Sequence, residues 1–265
     1  TRFLDRVLPD PAVRNYMQRL LGYCLTDATN EQVFPILHGD GSNGKSTLID
    51  LVLHILGDYA GPAPDSLMVQ RNHPEHSTEL AGLKGSRLVV GSETESGGRL
   101  RTALVKKLTG DQKVLARYMR CDYFEFVPTF KLLLVTNHKP ELHEDTEAVF
   151  RRVRLIPFDI TIPEAERDGH LLEKLQAEAS GVLAWLVRGC LDWQRDGLKT
   201  PPAVVAATRD YRDEADPLAD FIADRLSIRR GARVTRSELW SAFQSWNTQG
   251  ERLENVTRNS LFSRV

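Results

Sequence analysis

Eight consecutive residues carry the clearest chemistry in this 265-residue chain. Gly39-Asp40-Gly41-Ser42-Asn43-Gly44-Lys45-Ser46, with Thr47 after them, follow the pattern GxxxxGK[ST]. Glycines let a backbone curl until its N–H groups converge on phosphate oxygens. A helix opening at the end of such a turn adds the positive end of its dipole. Lys45 would reach the β- and γ-phosphates of a nucleoside triphosphate, and the Ser46 hydroxyl would hold Mg²⁺. The expected ligand is ATP with Mg²⁺, on residues 39–47.

Phosphoryl transfer needs more than a cradle. It needs a carboxylate near the metal and water, a polar group at the γ-phosphate, and positive charge for the transition state. Leu88-Val89-Val90-Gly91-Ser92-Glu93 ends an apolar run on a carboxylate, with Glu95 two residues on. Glu93 is the expected metal-proximal or water-activating group and Glu95 the secondary candidate. The run Lys131–Thr136 ends on Asn137, which would orient water or touch the γ-phosphate, with Thr136 as its competitor. Phe150-Arg151-Arg152-Val153-Arg154 gathers three guanidiniums; Arg152 is the first choice for transition-state charge and Arg151 the second.

These residues need elements to hold them. Phe34–Leu37, Arg87–Ser92, Lys131–Thr136 and Val153–Phe158 read as buried strands. Helical spacing covers residues 11–26, Ser46–Leu56, Leu100–Leu108 and most of the stretch from Pro163 to about Arg225. Residues 59–79, rich in Pro, Asp, His and Asn, read as a loop. Val114–Val127 reads as a hairpin. Strand, glycine-rich turn and helix in that order indicate an α/β sheet. Thr235-Arg236-Ser237-Glu238 is a capping-box signature before Leu239, Trp240, Phe243 and Trp246.

The order Gly39–Ser46, Leu88–Glu93, Lys106–Asp111, Phe130–Asn137 and Arg151–Phe158 resembles the superfamily 3 helicases. More narrowly, it resembles the helicase half of phage and plasmid primase-helicases, related to the poxvirus primase-helicase. Glu93 follows Lys45 by 48 residues and Asn137 follows Glu93 by 44. The resemblance covers roughly residues 3–225. It implies an AAA+ P-loop ATPase with a central, mostly parallel sheet, assembled as a homo-hexameric ring that translocates on single-stranded or forked DNA. By the same resemblance, Lys45 and Ser46 fall on the phosphate and Mg²⁺ positions, Glu93 on Walker B, Asn137 on the sensor and Arg152 on the arginine finger. Lys106 falls on the lysine of the motif between Walker B and sensor. That motif leads to a pore hairpin, which makes Lys113, Arg117 and Arg120 the candidate DNA contacts. Several relatives have two adjacent acids at Walker B; here Glu93 and Glu95 are two apart. A primase domain would lie N-terminal to this segment. The implied organisation is an N-terminal helical segment (1–30), an ATPase core (31–160), a helical region (161–225) and a partial winged helix (226–265). Arg258 and Arg264 would be its DNA contacts.

Composition sets limits on these readings. The formal net charge is −1, which by itself argues against nucleic acid. The charge is segregated, however: residues 84–120 hold nine Lys/Arg against three acids, residues 161–225 eight against thirteen, and residues 226–265 seven against three. The positive stretch coincides with the hairpin, where phosphate contacts would be salt-sensitive and blind to sequence. Tyr118 and Tyr123 are candidates for base stacking. Cys24, Cys121 and Cys190 form no CxxC pair, and His73-Pro74-Glu75-His76 lacks further ligands, so neither a disulfide framework nor zinc is expected. No membrane span or signal peptide is read, and the expected location is cytoplasmic. Two rivals stay open: a nucleotide-gated initiator or DNA-binding module without strand separation, and a P-loop kinase of small substrates.

Overall fold

The computed structural model describes residues 2–64, 67, 77–93, 99–110, 113–142, 146–216, 218–227, 229, 231–249 and 256–264. The chain opens with helices α1 (Arg2–Val7) and α2 (Pro11–Tyr23). Asp10 caps α2 by accepting from the Ala12 amide at 2.8 Å, and Pro11 occupies the first turn, where its missing N–H costs nothing. Helical spacing predicts α2 out to residue 26, but it ends at Tyr23. The Thr26 amide and hydroxyl both donate to the Tyr23 carbonyl, which closes a turn instead of another helical step.

Next come β1 (Phe34–His38), α3 (Lys45–Leu56), β2 (Ala60–Pro62), the short α4 (Ser77–Ala81), β3 (Leu88–Glu93) and α5 (Thr102–Leu108). The hairpin strands β4 (Val114–Ala116) and β5 (Phe124–Phe126) precede β6 (Lys131–Thr136), α6 (Thr146–Phe150) and β7 (Val153–Pro157). Helices α7 (Leu171–Ala177), α8 (Ala179–Asp196) and α9 (Pro202–Glu214) follow. The expected loop at 59–79 holds β2, which pairs with Leu88–Val90 through its backbone. A three-residue edge strand with Gly61 and Pro62 has no apolar alternation to betray it.

Five strands form one parallel sheet in the order β2-β3-β6-β1-β7. The fold is therefore mixed α/β. Phe34, Ile36 and Leu37 of β1, Leu132–Leu134 of β6 and Leu155 and Ile156 of β7 are buried, as strands covered by helices on both faces require. Helices α2 and α8 cross at Gly22 and Gly189. A Cβ on Gly189 would lie 2.1 Å from the Gln18 carbonyl oxygen, so only glycine permits this approach. The strand register decides where the site lies. His38 pairs with Thr136 on one side and Pro157 on the other, and Glu93 pairs with Thr136. The carboxyl ends of β1, β3, β6 and β7 therefore lie along one sheet edge, the edge at which open parallel sheets bind ligands.

The chain divides into two compact units, residues 1–209 and 210–265. In the second, α10 (Ala219–Arg225), α11 (Arg236–Gln249) and α12 (Arg258–Arg264) bury Leu218, Phe221, Leu239, Phe243 and Leu261. The capping box forms: Thr235 Oγ1 accepts from the Glu238 amide at 3.2 Å, and Glu238 Oε2 accepts from the Thr235 amide at 2.9 Å. Among the described residues of 226–265, helices are the only regular elements.

Candidate functional site

Residues 39–44 leave β1 at the carboxyl edge and turn into α3. Gly44 sits at φ 83° directly before the helix, and no side chain caps it, so the first amides of α3 lack a capping acceptor from that residue. Those amides, with the exposed Ser46 hydroxyl, are the donor set a phosphate and its magnesium require. Behind Gly44 lies α1. A Cβ on Gly44 would fall 2.5 Å from Val7 Cγ1 and 3.1 Å from the Phe3 ring. The Ile162 amide donates to the Ser42 carbonyl at 2.8 Å, which fixes the outer side of the loop.

Lys45 is buried and does not point into solvent. Its Nζ donates to the Gly39 carbonyl at 2.6 Å, to Asn43 Oδ1 at 3.0 Å and to Asn137 Oδ1 at 3.1 Å. An ammonium has three protons, and all three are used. Burial pushes the lysine below its ordinary pKa, with the Asp40 carboxylate opposing. Asn43, also buried, donates from Nδ2 to the Phe158 carbonyl at 3.1 Å.

The register brings Asn137 rather than Thr136 to Lys45. Thr136 is spent on its own turn: its hydroxyl donates to the His138 carbonyl at 2.6 Å and accepts from the His138 amide at 3.0 Å. The backbone of Glu93 ends β3 beside Thr136, at the same edge. Glu95 lies outside the described residues, as do His73 and His76; among the described residues, no cluster of His, Cys, Asp or Glu could hold a metal. His38, half-buried at the end of β1, has its pKa lowered by burial and by Lys139 and Lys45, against Asp40 and Asp159. Sequence reading passed over His38, Phe3, Val7 and Phe158 because each reads as ordinary core or a strand end.

Arg151 and Arg152 lie elsewhere. They precede β7, whose amino end pairs with Phe34, so a strand length of roughly 15 Å separates them from the Lys45 edge. Arg152 Nη1 donates to the Ala148 carbonyl at 3.0 Å, and its Nε is buried without a partner among the described residues. Arg151 is exposed. Neither arginine joins the Lys45 cluster of its own chain.

The hairpin forms with Val114 opposite Phe126 and Ala116 opposite Phe124. Its connection is exposed, with Met119 at 75%. The Arg117 guanidinium lies over the Tyr123 ring at 4.9 Å, Tyr118 stacks on Phe124 at 5.3 Å, and Arg120 takes φ 60° at the turn. Lys113 pairs with Glu125 at 3.2 Å, and Lys106 is half-buried on α5. In the second unit, Arg258 lies over Trp240 at 5.4 Å, and Arg264 closes α12. All three cysteines are free, and among the described residues no helix is long and apolar enough to cross a membrane.

Residues 37–152 match a family model described as a family of unknown function (DUF5906). The chain also resembles viral proteins named as helicases and primases. "Putative helicase L207/L206" of Acanthamoeba polyphaga mimivirus is 30% identical over 267 residues, covering 92% of this chain and 28% of that protein. "Putative helicase 022R" of Frog virus 3 (isolate Goorha) is 26% identical, covering 93% of this chain and 27% of that protein. "Putative primase C962R" of African swine fever virus (strain Badajoz 1971 Vero-adapted) is 22% identical over 92% of this chain and 28% of that protein. The chain thus spans under a third of the length of these relatives. Among solved structures, the apo C-terminal region of NrS-1 matches with a TM-score of 0.62 at 13% identity, covering 99% of this chain and 60% of that chain. That likeness is one of fold.

Proposed function

We propose that this chain is the ATP-hydrolysing segment of a replicative DNA helicase, of the superfamily 3 primase-helicase kind. One observation carries the reading: Lys45 of the glycine-rich loop and Asn137 at the end of β6 meet at the carboxyl edge of the parallel sheet. A kinase of small molecules has no need of that asparagine. The helicase and primase names of the viral relatives support the same reading.

In this proposal the loop amides of residues 39–44 and Lys45 bind the triphosphate, and Ser46 with Glu93 holds Mg²⁺, which would neutralise charge on the phosphate oxygens. Glu93, or Glu95 beside it, orients water, and Asn137 contacts the γ-phosphate. Arg152, remote from the Lys45 of its own chain, serves a neighbouring subunit of a homo-hexameric AAA+ ring. Lys106, Lys113, Arg117 and Arg120 face single-stranded DNA. A primase domain would belong to the longer protein.

The test is ATP hydrolysis by the purified protein with and without single-stranded DNA, together with unwinding of a tailed duplex. Lys45→Ala is the control. DNA-stimulated hydrolysis with strand separation is expected, and both vanish in the control. Stimulation without unwinding would favour an initiator-type module. Hydrolysis indifferent to DNA would overturn the motor reading.

A further inference from the structure

Asn43 is only 3% exposed, as buried as Lys45 itself, although it sits in a loop meant to meet a soluble ligand. A buried carboxamide must find partners, and this one has two of opposite kind. The Lys45 ammonium can only donate and the Phe158 carbonyl can only accept, so Oδ1 faces the first and Nδ2 the second. Phe158 is held from its other side as well, because its amide donates to the His38 carbonyl at 2.8 Å. Gly39 makes the link possible: a Cβ there would lie 2.3 Å from the Phe158 oxygen and 2.5 Å from Asn43 Nδ2.

We propose that Asn43 is a positioning residue, whose carboxamide ties the Lys45 ammonium to the Phe158 carbonyl just beyond β7 and holds the lysine ready for a phosphate. The Asn43 side chain then makes no contact with the nucleotide. It fixes the height of Lys45 relative to the strand that starts beside Arg152. Of the three acceptors on Lys45, Gly39 and Asn43 belong to the loop, so an arriving phosphate displaces Asn137. This deepens the nucleotide reading above, but the tether itself is a property of the nucleotide-free chain.

The experiment is trace acetylation of the nucleotide-free protein by acetic anhydride, with each lysine read by peptide mass spectrometry. Asn43→Ala should raise the Lys45 rate by about fivefold, the equivalent of one net hydrogen bond. The isosteric Asn43→Asp gives up the Nδ2–H donated to the Phe158 carbonyl but keeps an acceptor for Lys45 and adds an ion pair, so it should lower the rate. Lys131, a second buried lysine at the opposite sheet edge, should not change in either variant. An unchanged Lys45 rate in both variants overturns the proposal, and so does a rise shared by Lys131, which would mean general loosening. Protection of wild-type Lys45 by Mg-ATP is scored separately. Its failure would count against the nucleotide reading and leave the tether standing.

Discussion

Lys45 and Asn137 stand 92 residues apart in the chain and are joined by a hydrogen bond of 3.1 Å. The parallel pairing of β1 with β6 produces the contact: His38 and Thr136 are in register, Asn137 directly follows β6, and the loop that leaves β1 after His38 delivers Lys45 at the start of α3. If Asn137 exchanges Lys45 for the γ-phosphate, its removal should spare nucleotide binding and impair the chemical step. Asn137→Ala is expected to cut kcat by roughly a hundredfold, the scale for losing one aimed polar group, with the ATP Kd nearly unchanged. Equal losses in kcat and affinity would instead assign Asn137 to ground-state binding.

Arg152 sits at the amino end of β7 and Lys45 at the carboxyl edge, so in the proposed ring a catalytic contact between them would join two subunits. Arg152→Ala and Lys45→Ala should each be inactive alone. A mixture should regain part of the hydrolysis, because some interfaces then pair an intact lysine with an intact arginine. No regain in mixed oligomers would sink the assignment in trans.

Gly44 combines φ 83° with close contact to α1. Gly44→Ala adds a methyl that meets Val7 in a backbone conformation L residues disfavour. It should cost about 1–3 kcal/mol in urea unfolding. Phe3→Ala in the same background should relieve little, since Val7 makes the nearer contact. A Gly44→Ala protein of wild-type stability would contradict the packing of α1 on the loop.

Lys131 is buried at the start of β6, where Nζ donates to the Thr26 carbonyl at 2.5 Å and lies 4.7 Å from the Tyr23 ring centre. Burial lowers its pKa to about 8. The unfolded chain therefore binds the proton more tightly, and stability rises with pH from about 8 toward the ordinary lysine value. Cys24, raised to about 11 by burial, acts oppositely above its ordinary value of 9.0. Between pH 8 and 9 the lysine effect should stand clear, and Lys131→Met should flatten the slope. A slope unchanged by that substitution would remove Lys131 as its source.

The hairpin cations differ in how committed they are. Lys113 is paired with Glu125 on an exposed face, whereas Arg117, also exposed, rests on an aromatic ring and has no such acidic partner among the described residues. Arg117→Ala and Arg120→Ala should weaken single-stranded DNA binding and lower the salt slope by about one ion each. Lys113→Ala should do less, because the surface pair holds part of its charge. Salt-titrated affinities for a homopolymer check the ranking.

Much of the α/β architecture was legible from composition along the chain. Four apolar runs became four of the five sheet strands because strands covered on both faces must be apolar throughout. The glycine-rich turn announced itself, since Gly41 and Gly44 take positive φ angles that favour glycine. β2 escaped notice because edge pairing uses backbone groups that every residue carries. The end of α2 at Tyr23 was equally hidden, decided by a threonine that helical spacing counts as neutral. Chain order put Asn137 first with Thr136 as its competitor, and could not say which of them meets Lys45. Register chose: it turned the asparagine toward Lys45 and left the threonine to its own turn. The same register set Arg152 at the far edge, away from the Lys45 of its own chain. Residue types and their order determined what chemistry this chain is equipped for. Which groups meet was decided only by pairing between distant strands, because contacts there depend on alignment across the sheet and not on separation along the chain.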